Sequence, residues 1–380
     1  MATTVQWVGF GIGLILVGGT GTTVIRTLVV PRGTSAKLSN AVGRGVNSLF
    51  MVIVNRLDEY ESKDRVLIYE APIVLLLVLI LWLLMFILGY SLMMWPFLVS
   101  FPEALRQTGS SLFTLGFAAV AIPGPTVVYF MAAFTGLIVV ALQIAYLPSL
   151  YSSFNRRETL VTMLQSRAGA PAWGPELLAR HQLVGILDNL PDLYKEWERW
   201  AADVAESHTN YPTLIWFRSP HPLRSWVVAL LAVLDSAALY QSLNPNSAPS
   251  EARLCIRMGF TCMREIASAL QIPYDSDPFP DADVNLTYEE FLGGITRLEE
   301  SGFPMERTPE EAWPHFKGWR VNYESIVYTV ADQVMAAPGP WSGPRHHLPG
   351  MMIVPQRPAD RRPDDDFSAR PKIERAGWHA

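Results

Sequence analysis

Ser110-Ser111-Leu112-Phe113-Thr114-Leu115-Gly116-Phe117-Ala118 stands early in a run from Gln107 to Asn155 that holds no charged residue, just ahead of a Pro123-Gly124-Pro125 break. A membrane crossing takes about 20 apolar residues, so this run is too long for one. It must fold back on itself, dipping in as a short segment, climbing out through the Gly/Pro stretch, and then crossing as a full helix. Irregular backbone at membrane depth is tolerated only where it is buried in protein or lines a water-filled path. The chemistry open to Thr-Leu-Gly-Phe in that position is the lining of a pore.

The elements that must hold this stretch follow from the neighbouring runs. Ala71 to Phe101 is uncharged and includes an unbroken apolar stretch from Leu75 to Met85, a second crossing, with Trp95 as an interfacial anchor. Phe101 to Phe113 is expected as a short helix, with Glu103 at the positive end of its dipole. Thr126 to Phe154 is expected as the crossing that follows. Val5 to Ile25 is a further apolar run, without the basic segment of a secretory signal, and is expected to stay as a membrane helix. Its Gly9 and Gly13 fit the small-xxx-small pattern of close helix packing. Gly18-Gly19-Thr20-Gly21-Thr22-Thr23 lacks the lysine of a phosphate loop and is set aside as packing.

Thr114-Leu115-Gly116-Phe117-Ala118 resembles the filter of the potassium-channel family, usually Thr-Val-Gly-Tyr-Gly. Within residues 70–160 the resemblance continues on both sides: Phe101–Phe113 resembles a pore helix, and Thr126–Phe154 resembles an inner helix whose exit is Asn155-Arg156-Arg157-Glu158. The resemblance implies a bacterial-type two-helix pore module. Thr114, Leu115, Gly116, Phe117 and Ala118 would form its selectivity filter, and Gly136 would be its inner-helix hinge, although a packing glycine reads equally well there. It implies a homotetramer that conducts a monovalent cation, with potassium as the family's ion. Carbonyl rings and the threonine hydroxyl replace the ion's hydration shell, and glycine supplies positive φ where carbonyls must turn inward. Gly116 meets that need, while Ala118 stands where the family has glycine, and no acidic residue follows. The expected pore is therefore potassium-preferring or non-selective. The alternative is a non-conducting, membrane-anchored sensor or scaffold acting through its cytoplasmic domain.

Composition bounds the rest. Half of the 380 residues are hydrophobic and 17% are charged, with a net charge of −5, below the quarter or so of charged residues in soluble domains. No basic stripe suggests a nucleic-acid partner. Basic residues crowd 31–68 and follow the last crossing as Arg156, Arg157 and Arg167, against Arg106 alone between Glu103 and Pro125. The positive-inside rule then puts the N-terminus and pore entrance outside and the C-terminal half in the cytoplasm of a multi-pass plasma-membrane protein. Three crossings satisfy this. No repeated arginines lie in a spanning run, so voltage sensing of that kind is not expected.

The expected organisation is an N-terminal membrane helix (1–30), a cytoplasmic amphipathic linker (31–69), the pore module (70–160), an all-α cytoplasmic domain (161–335) and a disordered tail (336–380). Leu38, Val42, Val46, Leu49, Ile53 and Leu57 mark the linker helix. In the second half, helices are expected over Glu176–Glu206, Ser225–Leu239, Glu251–Ile272, Leu286–Ser301 and Pro309–Met335. Ser225–Leu239 contains Asp235 and is short, which suits a core helix better than a crossing.

Other candidates for chemistry are weaker. Cys255 and Cys262 share a helix face and read as buried apolar residues rather than a redox pair. His208, Arg218 and His221 flank Trp216 and Phe217, either as a ligand or anion site or as surface residues around an aromatic core. Asp275, Asp277, Asp281 and Asp283 lack the glycine and closing glutamate of a calcium loop and read as a solvated turn. Gln143 either faces a cavity or is a satisfied buried amide. No metal site, no cofactor and no nucleophile–base pair of an enzyme is expected. A cytoplasmic ligand or protein partner is left unassigned, and membrane lipid is an expected partner.

Overall fold

The computed structural model describes residues 3–30, 37–118 and 125–344. Every regular element among them is helical. The first six are α1 (Thr4–Leu28), α2 (Lys37–Val54), α3 (Tyr60–Leu67), α4 (Glu70–Met94), α5 (Phe101–Leu112) and α6 (Thr126–Ala168).

Three of them, α1, α4 and α6, are long and apolar enough to cross a membrane. Their most apolar windows are only 22%, 22% and 28% buried within the chain. Apolar side chains that face outward over such lengths need lipid or another subunit as solvent. In α4 the apolar residues run all round the helix, the pattern of a membrane span. α1 and α4 pair antiparallel through glycine. A Cβ at Gly13 would press on the Gly89 carbonyl and the Leu92 and Met93 side chains, and one at Gly9 would meet the Trp95 ring. Close approach of this kind is how membrane helices gain contact without a hydrophobic driving force. Trp7, Phe10 and Phe97 cluster at one end of the pair, with rings 5.8–6.5 Å apart.

α6 spans 43 residues, about 65 Å at 1.5 Å per residue, roughly twice the hydrocarbon thickness of a bilayer. The expected boundary at residue 160 therefore falls inside one continuous helix. Its second half is already part of the C-terminal core, where Val161, Leu164 and Ala168 are buried.

The C-terminal half adds α7 (Gly174–Val184), α8 (Leu190–Asn210), α9 (Trp226–Leu243), α10 (Ser250–Leu270), α11 (Tyr288–Ser301), α12 (Pro309–Arg320) and α13 (Glu324–Gln333). α9 is apolar and long enough to be counted with the spans, yet 94% of its most apolar window is buried. It is the core helix that Asp235 suggested, wrapped by α7, α8, α10 and α12. Cys255 and Cys262 are free and fully buried on α10, and burial pushes both thiols up.

Three sequence expectations need correction. The single helix over Glu176–Glu206 is two, because Gly185 closes α7 in the left-handed conformation at φ +71° and Pro191 opens α8. The helix expected over Pro309–Met335 breaks at 321–323 into α12 and α13. The tail expected from 336 does not begin there, since Ala336, Ala337, Trp341 and Ser342 are buried. Trp341 packs edge-on to Trp173, and its indole N–H donates to the Glu290 carbonyl at 3.1 Å. One tryptophan supplies enough apolar area to anchor a segment whose average composition is polar. The remainder of the expected tail, including His346-His347, lies outside the described residues.

Candidate functional site

Ser100 caps α5, its hydroxyl accepting from the Glu103 amide at 3.4 Å. Glu103 then accepts from Gln107 at 2.6 Å, and the Tyr129 hydroxyl also binds Gln107. At the other end of α5, a Cβ on Gly136 would strike the Leu112 carbonyl. Gln107 thus meets the fourth residue of α6 and Leu112 meets the eleventh, so α5 lies alongside α6 in the same direction. Thr108 donates to the Met94 sulfur at 3.3 Å, and Tyr90 and Thr135 share a hydrogen bond of 2.7 Å. These contacts wedge α5 between α4 and α6. Its C-terminus sits about 15 Å along α6 from the start of that helix.

The chain leaves α5 by a helix-terminating turn in which Thr114 takes φ +54°. The Leu115 amide donates to the Ser110 carbonyl at 2.8 Å, and the Thr114 amide donates to Ser111 at 2.9 Å. This pair of bonds is the Schellman cap, whose left-handed position is usually glycine. A β-branched residue there is an outlier, and such outliers persist where surrounding structure holds them. Gly116 also has positive φ, +69°. Its amide reaches the Ser110 carbonyl at 3.4 Å, and the Ala118 amide reaches the Ser110 hydroxyl at 3.1 Å.

Ser110 therefore gathers three loop amides on one residue. The carbonyls are left differently: among the described residues, none donates to those of Thr114, Leu115, Gly116 or Phe117. Residues Thr114 to Phe117 are all exposed. Arg106 lies 5.7 Å from the centre of the Phe117 ring. A row of unpaired neutral oxygens can take a partially dehydrated cation. The sequence alone assigns Ser110 no role. Its signal, a hydroxyl one turn before the helix end, is local but common to many helix termini.

Thr114 to Ala118 are brought together on one loop, and Gly136 is brought to the loop's base. In this structure Gly136 lies within an unbroken helix and receives the Leu112 carbonyl. Gln143 lines a cavity between helices rather than the loop.

The His208, Arg218 and His221 group is divided. His208 is fully buried, not a surface residue. Its Nε2 lies 3.0 Å from Arg157 Nη1. Arginine only donates, so Nε2 accepts and the imidazole is neutral with its proton on Nδ1. Arg157, also fully buried, donates to Glu158 and to the carbonyls of Leu214 and Phe217. Arg218 instead binds Asp64 at 2.5 Å and the Met335 carbonyl at 2.9 Å. It thereby ties α3 to the end of the C-terminal domain, and His221 lies in the field of Asp64. An anion site at Arg218 is ruled out by these bonds.

Burial, with Arg157 beside it, holds His208 well below the usual imidazole range, and burial lowers His181 too. The unfolded chain takes up protons near pH 6.5 and the folded chain does not, so this stability is present above pH 6.5 and lost below it. Thermal unfolding in detergent is expected to show a loss of about 1.4 kcal/mol per pH unit from His208 on acidification below pH 6.5. His208→Asn is expected to flatten that dependence.

Among the described residues no three His, Cys, Asp or Glu side chains are placed to hold a metal. Asp275 accepts from the Asp277 amide at 3.0 Å, a local turn bond. No family model, curated protein or solved structure matches the chain.

Proposed function

We propose that this chain is the subunit of a tetrameric membrane pore for monovalent cations, in which Thr114–Ala118 of four copies encircle the ion. The observation that carries it is the loop's division of labour. The amides of Thr114, Leu115, Gly116 and Ala118 are consumed by Ser110 and Ser111, while among the described residues none donates to the carbonyls of Thr114–Phe117. An unsatisfied carbonyl at membrane depth costs several kcal/mol. A water-filled ion path removes that cost, and one loop cannot enclose a path by itself.

The placement of α5 supports the same reading. It descends beside α6 from the end where α6 begins, the direction that a pore helix within three crossings would take. Basic residues collect at the opposite end, with the C-terminal domain, so that end faces the cytoplasm of the plasma membrane and the N-terminus faces outside. α6 then continues without a break into the cytoplasmic domain and is gripped there by the buried Arg157. Motion of that domain passes directly to the pore wall.

The test is ion flux from liposomes holding the purified protein, first with a potassium gradient and then with sodium. Potassium flux is expected, carried by a species that crosslinks as a tetramer. Gly116→Ala is expected to abolish it, since Gly116 sits at φ +69° and alanine there costs about 1–2 kcal/mol. A stable tetramer that passes neither ion would overturn conduction and favour the scaffold reading.

A further inference from the structure

A cavity of about 1060 Å³ opens where α1, α2, α4 and α6 meet the C-terminal domain. It extends along α4 from Glu70 to Trp82, twelve residues or about 18 Å. Its volume lies at the upper end of ligand-pocket sizes. Its lining is of two kinds. Leu28, Val74, Leu75, Val78 and Trp82 give an apolar wall along α1 and α4, whereas Arg44, Asn47, Ser48 and Glu70 give a polar group on α2 and the start of α4.

The polar group holds one charge of each sign, and the two are not spent on each other. Glu70 is 8% exposed and accepts from Asn47 at 2.9 Å through one carboxylate oxygen. No described residue donates to its other oxygen. Arg44 is exposed and forms no ion pair with any described acidic group. It stands three residues before Asn47, one helical turn from the Asn47–Glu70 bond.

We propose that this cavity binds a zwitterionic phospholipid of the ethanolamine type, with its phosphate on Arg44, its ammonium on Glu70 and an acyl chain along the wall toward Trp82. The paired charges carry the choice of headgroup. A purely anionic head would meet the Glu70 carboxylate, and a neutral one would leave both charges uncompensated. The apolar wall carries the choice of a chain-bearing molecule over a free headgroup. This site is independent of whether the loop conducts.

The purified full-length protein, stripped of lipid in detergent, is the sample. Thermal unfolding would be followed with phosphatidylethanolamine, phosphatidylglycerol or soluble phosphoethanolamine. Phosphatidylethanolamine is expected to raise Tm by about 5 °C at saturation, and the other two to leave it within about 1 °C. Glu70→Gln, isosteric with the native side chain, is expected to lose most of the rise and to respond equally to both lipids. Val78→Trp, which fills the apolar part, is expected to remove the rise. An equal response of the native protein to phosphatidylglycerol, or a full response in Glu70→Gln, overturns the assignment. A rise with soluble phosphoethanolamine overturns the role of the chain.

Discussion

Gly136→Ala is expected to reduce ion flux to background while leaving the helices and the C-terminal domain folded. The added methyl would lie inside van der Waals contact with the Leu112 carbonyl oxygen, carbon and Cα. Those are backbone atoms, so no rotamer change can make room. α5 must move off α6, and the loop beginning two residues later moves with it. Overpacking of this kind costs about 1–3 kcal/mol, which a chain of this size survives. A carbonyl ring does not survive it, because its oxygens must stay at ion-contact distance. Gly11→Ala is the control, since nothing lies within 4 Å of a Cβ there. The measurement is potassium flux alongside far-UV circular dichroism. Native flux in Gly136→Ala would mean that the seat of α5 on α6 does not hold a filter.

Arg320→Ala is expected to destabilise the C-terminal domain by about 3–5 kcal/mol, the effect of stranding one partner of a buried ion pair. Arg320 is fully buried and donates to Asp235 at 2.5 Å, Glu324 at 2.8 Å and the Trp341 carbonyl at 2.8 Å. Tyr323 adds a bond to the same Asp235 oxygen at 2.8 Å. Burial pushes the Asp235 carboxyl up to about 6 against the opposing pull of Arg320. Without the guanidinium that carboxyl rises further and is protonated in the folded state. A raised carboxyl contributes stability below its unfolded value, near 3.8, which is lost as pH climbs through its folded value. Both proteins lose stability in parallel up to about pH 6, where native Asp235 ionises, so the variant's deficit is expected to grow only above that, between about pH 6 and 8. Thermal unfolding across that range checks it. Arg320→Met combined with Asp235→Leu is expected to recover much of the loss, because an apolar pair needs no charge compensation.

The junction between the two halves has the same construction. Arg157, His208 and the Leu214 and Phe217 carbonyls form one buried unit, and Arg218 links α3 to the Met335 carbonyl across 117 positions of sequence. Neither arginine differs in sequence from an exposed one. Arg157 sits in a basic exit that suits a membrane boundary, and Arg218 sits among aromatics that suit either a ligand site or a core.

Apolar length, by itself, determined α1, α4 and α6, because a run of 20 uncharged residues has few other homes than lipid. The charge in Asp235 separated α9 from them, since a carboxylate at the centre of a short apolar helix needs a protein partner. Gly9 and Gly13 announced close packing, although Gly89 as their counterpart did not show. The loop at Thr114–Ala118 was legible as irregular backbone between crossings, and Gly116 as a place for positive φ. Where elements stop and what they touch was decided only in the tertiary structure. α6 runs past its expected end because Arg157 finds three acceptors supplied by segments some 50–60 residues on. Trp341 leaves the expected tail because Arg320, Glu290 and Trp173 converge on it. Thr114 adopts a glycine-like conformation because Ser110 and Ser111 accept the loop's amides. Hydrophobic run length is a local property that the chain carries in its own order. The pairing of a buried charge or amide with its acceptor depends on residues brought close by packing, which no window of sequence contains.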